Sequence, residues 1–337
     1  MDPDEEIEID FSPFLIVYKS GRVHRFSSSS RKSAGTDATT GVTSKDVVID
    51  GGSGLAARLF LPKCVLASQK LPVVLYIHGG GFVSESAFSA RYTSYVNALV
   101  AAARAVAVSV EYRLAPEHPV PAAYDDAWAA LCWTAASCAS GGSEPWLADH
   151  GDATRLFVAG SSSGGNVAHN LAMRAGRKGG ARIEGMVLLH PLFMGKAPVP
   201  SEGTDATTFA ERSEGIWRYL CAGRYGIDHP FSNPLAMPAG EWAALGCRRA
   251  LVTTAELDRA RDRGGKYVEA LRGSAWAGEE AALYETDGEE HQYYLLKRAR
   301  SDPVVAAKAA DEMAAVASFI NGGTCTSGSD RKIKSTL

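Results

Sequence analysis

Leu156-Phe157-Val158-Ala159-Gly160-Ser161-Ser162-Ser163-Gly164 decides the fold of this chain. Four apolar residues form a short strand. A Gly-x-Ser-x-Gly sequence follows, and the residues after it read as a helix over 164–176. A strand that turns this sharply into a helix needs glycine on both sides of the turn, because a side chain there would collide with neighbouring backbone. The turn lifts Ser162 clear of the sheet, and the helix N-terminus behind it favours developing negative charge. The five-residue pattern alone is weak, since with 34 Gly in 337 residues and a similar share of Ser it arises by chance on the order of 0.3 times per chain. The strand before it and the helix after it give it weight. Without them it reads as a Gly/Ser loop capping a helix.

Outward from this turn, short β-branched runs alternate with helical patterns. Strands are expected at 43–50, 55–61, 73–77, 106–111, 155–159, 185–189, 250–254 and 281–285. Helices are expected at 87–104, 122–139, 164–176, 262–272, 292–299 and 303–320. The first two strands can pair as a hairpin. The alternation after them predicts an α/β fold with a mostly parallel eight-stranded sheet covered by helices on both faces. Ligands bind such sheets at the C-terminal ends of the strands. Residues 193–245 break the alternation with Pro and aromatic residues and read as an insertion over that end, a candidate lid. Residues 1–42 read as an arm that could fold as a short helical lid, with a mobile loop at 27–40. Residues 321–337 are rich in Gly, Ser, Thr and Lys and read as a disordered tail. The catalytic domain is therefore expected at 43–320.

Composition narrows the function classes. Lys+Arg 35 against Asp+Glu 38 gives a net charge of −3. That leaves no basic excess to neutralise phosphates, so a general nucleic-acid binder is excluded. No apolar run is long enough for a membrane span. The acidic start, Met1-Asp2-Pro3-Asp4-Glu5-Glu6, is unlike a secretory signal, and a cytoplasmic or nuclear location is expected. The six cysteines, at 64, 132, 138, 221, 247 and 325, are scattered and read as reduced, buried thiols. No clustered ligands suggest zinc or another metal.

His78-Gly79-Gly80-Gly81-Phe82 follows the strand at 73–77. By the same composition argument His-Gly-Gly-Gly arises about once in a hundred such chains. Glycine backbone can come close to a substrate, and N–H groups aimed at a developing oxyanion are worth roughly 3–4 kcal/mol each. Gly80 and Gly81 can supply two of them, and Ser163, after the nucleophile, a third. A phosphate-gripping loop is the alternative, but its usual Gly-Lys-Ser/Thr or Gly-x-Gly-x-x-Gly pattern is missing. His78 itself reads as a structural hydrogen-bonding group.

A serine at such an elbow needs a base, and behind the base an acid, in the chain order Ser, acid, His. The eight histidines are at 24, 78, 118, 150, 169, 190, 229 and 291. His169 lies two turns along the elbow helix and should face into packing. His291 follows the strand at 281–285 and a Thr286-Asp287-Gly288 turn, at the end of the sheet where it could reach Ser162. His190, ending the strand at 185–189, competes with it. The acid should sit just past the strand at 250–254. Asp258 is favoured and Glu256 is the alternative, while Asp262 reads as a partner of the next helix's dipole.

Four segments together carry a family resemblance: His78 to Phe82, Glu111-Tyr112-Arg113-Leu114-Ala115-Pro116-Glu117-His118-Pro119, Pro121-Ala122-Ala123-Tyr124-Asp125-Asp126, and Gly160 to Asn166. With them the chain resembles the hormone-sensitive-lipase branch of the α/β-hydrolases, and within it the plant carboxylesterases, from Glu6 to Ile320. The resemblance implies a triad of Ser162, Asp258 and His291, an oxyanion hole from Gly80, Gly81 and Ser163, and a lid from the N-terminal arm and the insertion. It also implies a carboxylesterase acting on a small-molecule ester without metal or organic cofactor, as a monomer or weak homodimer. Two positions depart from the family pattern. Ser161 stands where many members have Asp, and His190-Pro191-Leu192-Phe193-Met194-Gly195 stands where a more aromatic, Gly-rich run is expected at the acyl pocket. The same branch holds hormone receptors, which lose the triad His, and dehydratases, which often carry Thr at the nucleophile. His291 and Ser162 speak for the esterase. A lid of Phe11, Phe14, Leu15, Trp217, Tyr219 and Tyr225 would enclose an apolar pocket suited to small or medium acyl groups.

Overall fold

The structure, a computed structural model, describes residues 3–26, 30–67, 69–139, 141–179 and 181–323. It opens with three antiparallel strands, β1 (Ile7–Phe11), β2 (Leu15–Tyr18) and β3 (Val23–Arg25). This corrects the helical reading of the arm. Leu15 and Val17 are buried while Ile16 and Tyr18 are only half-buried, and that period of two belongs to a strand. Then follow β4 (Thr43–Asp50), β5 (Leu55–Leu61), β6 (Leu71–Ile77), α1 (Ala90–Ala103), β7 (Val106–Glu111), α2 (Pro121–Ser137) and α3 (Pro145–His150). The second half contains β8 (Gly151–Ser161), α4 (Ser163–Lys178), β9 (Ile183–Leu189), α5 (Ala206–Leu220), β10 (Cys247–Ala255), α6 (Arg261–Arg272), β11 (Glu280–Thr286), α7 (Arg298–Ser301) and α8 (Pro303–Ile320).

The larger sheet has eight strands in the order β11-β10-β9-β8-β6-β7-β5-β4. β4 and β5 pair antiparallel, as do β5 and β7; every other pairing is parallel. All eight strands coincide with expected ones, several longer by a few residues. Strands buried on both faces need apolar residues at every position, and β6 is buried throughout. Along it Val73, Leu75 and Ile77 join the core shared with Leu131 of α2 and Val167 of α4. Val74 and Tyr76 join the core shared with Val96 of α1 and Phe319 of α8. Phe157 meets Phe319 edge-on, with centroids 6.2 Å apart. Truncating such a buried ring to Ala costs roughly 3–5 kcal/mol.

Two local expectations fail for visible reasons. The helix expected at 292–299 is a 3₁₀ turn at Tyr293–Leu295 followed by the single turn of α7. Leu296 between them is extended, φ −80° and ψ 159°, which a helix cannot continue through. The helix expected from 87 starts at Ala90, because the Ser89 hydroxyl caps it by accepting from the Tyr92 N–H. The insertion contains α5 and three 3₁₀ turns and no strand. The described part of the loop expected to be mobile is tied down: Asp37 Oδ1 accepts from the backbone N–H groups of Thr39 and Thr40. Residues 27–29 of that loop, residues 324–337 of the expected tail and Cys325 lie outside the described residues. Cys138, Cys221 and Cys247 are buried as expected, but Cys64 and Cys132 are exposed. Among the described residues no helix is long and apolar enough to cross a membrane.

Candidate active site

β6 and β8 are neighbours and end together, with Ile77 opposite Gly160. This brings the His78–Phe82 loop against the elbow. The approach is backbone on backbone. A Cβ on Gly164 would lie 2.1 Å from the Ile77 carbonyl oxygen and 2.5 Å from that of His78, and one on Gly160 2.1 Å from the Gly164 carbonyl oxygen. Only glycine fits at either place. Ser162 between them is held at φ 54° and ψ −118°, strained for a residue with a side chain. Its N–H donates to Leu189 O at 2.8 Å, and its carbonyl accepts from the Leu192 N–H at 2.9 Å. Both ends of the strained residue are thus pinned.

His291 reaches Ser162 from the loop after β11. Its Nε2 lies 2.9 Å from Ser162 Oγ, and its Nδ1 lies 2.6 Å from Asp258 Oδ2. Asp258 follows β10 and is buried, and its other oxygen accepts from the Ala260 N–H at 2.8 Å. Burial works against its charge, but hydrogen bonds from His190 and His291 outweigh burial and hold the carboxyl well below the usual carboxylate range. Glu256, the alternative acid, is turned away and accepts from the Gly288 N–H at 2.7 Å. Asp262 sits in the first turn of α6 and accepts from the Ser201 N–H. Hydroxyl, imidazole and carboxylate in this order can move a proton off the serine as it attacks a carbonyl carbon. Side-chain atoms of His190, Asp258 and His291 lie within 4.8 Å of one another. The direct 2.6 Å His291–Asp258 contact, however, leaves no space for an ion between those two groups.

The other histidines have structural surroundings. His78 is buried, stacks on Tyr112 at 4.2 Å, and its Nδ1 lies 2.8 Å from Gly79 O. Burial pushes its pKa down to about 4. His169 faces into packing, its Nδ1 2.9 Å from the Tyr267 hydroxyl and its ring edge-on to Phe193. Burial brings it to about 3. His190 is buried beside Asp258 and makes no hydrogen bond to Ser162. Burial disfavours its charged form, but the Glu312 and Asp258 carboxylates on either side outweigh it and raise the group to about 9.

Several contributors escape sequence reasoning. Ser161 Oγ lies 2.8 Å from the Tyr76 hydroxyl and 3.0 Å from that of Tyr294, three residues beyond His291. The Tyr92 hydroxyl accepts from the Gly79 N–H at 2.9 Å and from Gln292 Nε2 at 3.3 Å, and the Tyr112 hydroxyl donates to His78 O. Tyrosines under the sheet's end thus join the glycine loop, the elbow and the His291 loop. No spacing in the sequence marks them.

Above the glycine loop lies the arm. A Cβ on Gly81 would meet the Phe11 ring at 3.2 Å and Phe14 at 3.8 Å. Arg25 fastens the arm by donating to Val83 O and Ala115 O and pairing with Glu117. From the insertion, Arg212 of α5 reaches Asp10 O and Ser12 O at 3.4 and 3.3 Å. Leu15 and Trp217, named with the lid, are fully buried, and the Trp217 indole N–H donates to Gly226 O. They pack the cover onto the core.

Comparison with known proteins agrees with this geometry. Residues 74–295 match the model of a family described by the α/β-hydrolase fold. The chloroplastic tuliposide A-converting enzyme 1 of Tulipa gesneriana is 44% identical over 293 residues, 87% of this chain and 74% of that protein. A 2-hydroxyisoflavanone dehydratase of Glycyrrhiza echinata is 42% identical over 301 residues, 86% of this chain and 91% of that one. Among solved structures, a thermostable esterase from Pseudomonas putida is 26% identical, with a TM-score of 0.67 over 86% of this chain and 85% of that one. The expected cytoplasmic or nuclear location is overturned, because the related tulip enzymes are chloroplastic or, in other copies, amyloplastic.

Proposed function

The chain is a plant-type carboxylesterase of the α/β-hydrolase fold family, and from that premise we propose the residue roles and the substrate class. Ser162 Oγ attacks the ester carbonyl carbon while His291 Nε2 takes its proton. The tetrahedral oxyanion is held by the N–H groups of Gly80, Gly81 and Ser163. His291 returns the proton to the leaving alcohol, and water then cleaves the acyl-enzyme by the same steps reversed. Asp258 keeps the imidazole oriented and stabilises its cationic form without taking the proton. The observation that carries this reading is the unbroken series Ser162–His291–Asp258 at 2.9 and 2.6 Å.

Residues 43–320 form the catalytic unit, covered by the arm at 1–42 and the insertion at 193–245. Phe11 and Phe14 stand over Gly81, so the acyl or alcohol group must pass two rings. This favours small or medium esters over long lipids. The working unit is a monomer or weak homodimer, which sedimentation over a concentration range would decide. The kinship with a dehydratase supports a second reading, loss of water from a hydroxylated substrate. Ser162 in place of Thr weighs against it, and product analysis would separate the two.

The deciding experiment is turnover of a short p-nitrophenyl ester. Ser162→Ala should lower the rate at least about a thousandfold, and an unchanged rate would dismiss the assignment. Activity that rises with acyl length into lipid emulsions would contradict the substrate class.

A further inference from the structure

Helix α8 presents a buried stripe of Val305, Glu312, Val316 and Phe319. A carboxylate in the middle of such a stripe is costly unless it is paired. Glu312 Oε1 lies 3.5 Å from His190 Nε2, and its other oxygen accepts from the Thr286 hydroxyl at 3.4 Å. The opposite edge of the His190 ring faces the triad. Its Nδ1 is 3.5 Å from Asp258 Oδ2, the oxygen that holds His291, and 3.1 Å from the backbone N–H of Gln292, the residue after His291. The ring is itself fixed. The His190 N–H donates to Thr253 O at 2.9 Å, the backbone turns at φ 47°, and Tyr294 meets the ring edge-on at 5.2 Å.

We propose that His190 and Glu312 are positioning residues for the triad. Glu312 fixes the His190 ring, and the ring, with Nδ1 protonated, donates to the Asp258 carboxylate that holds His291. The Asp258–His291 pair is thus held from behind. Neither residue hydrogen-bonds to Ser162, whose side chain bonds to His291 alone among these three, so neither is placed to exchange a proton with the serine. Substrate affinity does not depend on them. What they set is the fraction of time His291 is aligned with the serine. This proposal rests on Ser162, His291 and Asp258 being the triad.

The test is a double-mutant cycle on the full chain, with rates expressed per organophosphate-reactive serine so that unfolded protein does not count. Glu312→Gln should lower kcat about tenfold with KM within about twofold. Placed on top of Asp258→Asn, it should lower kcat less than about twofold, because an effect routed through the Asp258 carboxylate disappears with it. His190→Gln, the second variant should the first not fold, must show the same dependence. The downfield proton resonance of the His291 Nδ1–H should shift in both single variants. Equal fold-losses in the native and the Asp258→Asn backgrounds, or an unchanged kcat per reactive serine, would overturn the proposal. Full activity in Ser162→Ala would instead overturn the triad beneath it, so the two failures are distinguishable.

Discussion

On the elbow side of the site, a Cβ at Gly160 or Gly164 would stand 2.1 Å from a backbone oxygen. On the side of the arm, one at Gly81 would meet the rim of the Phe11 ring at 3.2 Å. The first contact is backbone against backbone and cannot give way. The second is against the far end of a side chain. The floor of the site is therefore built by close approach of β6, β8 and α4. Its cover is held by the buried Leu15 and Trp217 and by arginines reaching carbonyl oxygens, Arg25 onto Val83 and Ala115 and Arg212 onto Asp10 and Ser12. A floor that cannot shift suits proton transfer, where a misplacement of about 1 Å can cost a hundredfold. A cover fastened by side-chain contacts, rather than by backbone on backbone, suits the choice and passage of substrate.

Substitutions in the two regions can break this contrast. The largest effect belongs to the floor. Asp258→Asn should lower kcat about ten-thousandfold, because the wrong imidazole tautomer is then favoured; steady-state kinetics on a p-nitrophenyl ester measures it. Gly164→Ala comes next. It should cost about 4 kcal/mol or more of stability, since the Ile77 and His78 carbonyls cannot both retreat; a denaturant melt reads this. In the cover, Arg212→Ala and Phe11→Ala should keep kcat within about tenfold while changing KM and the preferred acyl length. A thousandfold loss in either would erase the distinction between floor and cover.

The smallest effect is in pH dependence. The carboxyl of Asp258 is held below its ordinary range in the folded chain. Its contribution to stability is thus complete above the unfolded value of about 3.9 and is lost as pH falls below that toward the folded value. The stability gap between the native chain and Asp258→Asn should be flat from neutral pH down to about 4 and shrink below it. Denaturant midpoints taken across that range would show it, and a gap that widened in acid would reverse the sign.

The same division explains what could be read from the residues alone. The floor obeys rules that leave marks in sequence: β-branched runs for strands, glycines where backbones meet, and the base and acid each placed just past a strand. Ser162, His291 and Asp258 come together where that logic puts them. The cover leaves weaker marks. In Ile7 to Tyr18 the strands are so short, and the aromatic residues so evenly mixed, that a helix and a hairpin look alike until burial shows the period of two. At 292–299 a helical pattern is interrupted by the extended Leu296, in a loop bound from His190, Tyr92 and Ser161. Glu312 leaves no mark at all. An acidic residue in a C-terminal helix reads as solvent-facing, and its partner His190 lies far away in the chain.

Labelling with a fluorophosphonate tests the central claim most directly. If Ser162 is the nucleophile drawn on by His291 and Asp258, the reagent should add once per chain, on the peptide containing Ser162, and activity should fall in proportion to the adduct counted by mass spectrometry. Hydrolysis that persists in fully labelled protein, or an adduct that forms equally well in Ser162→Ala, would contradict it.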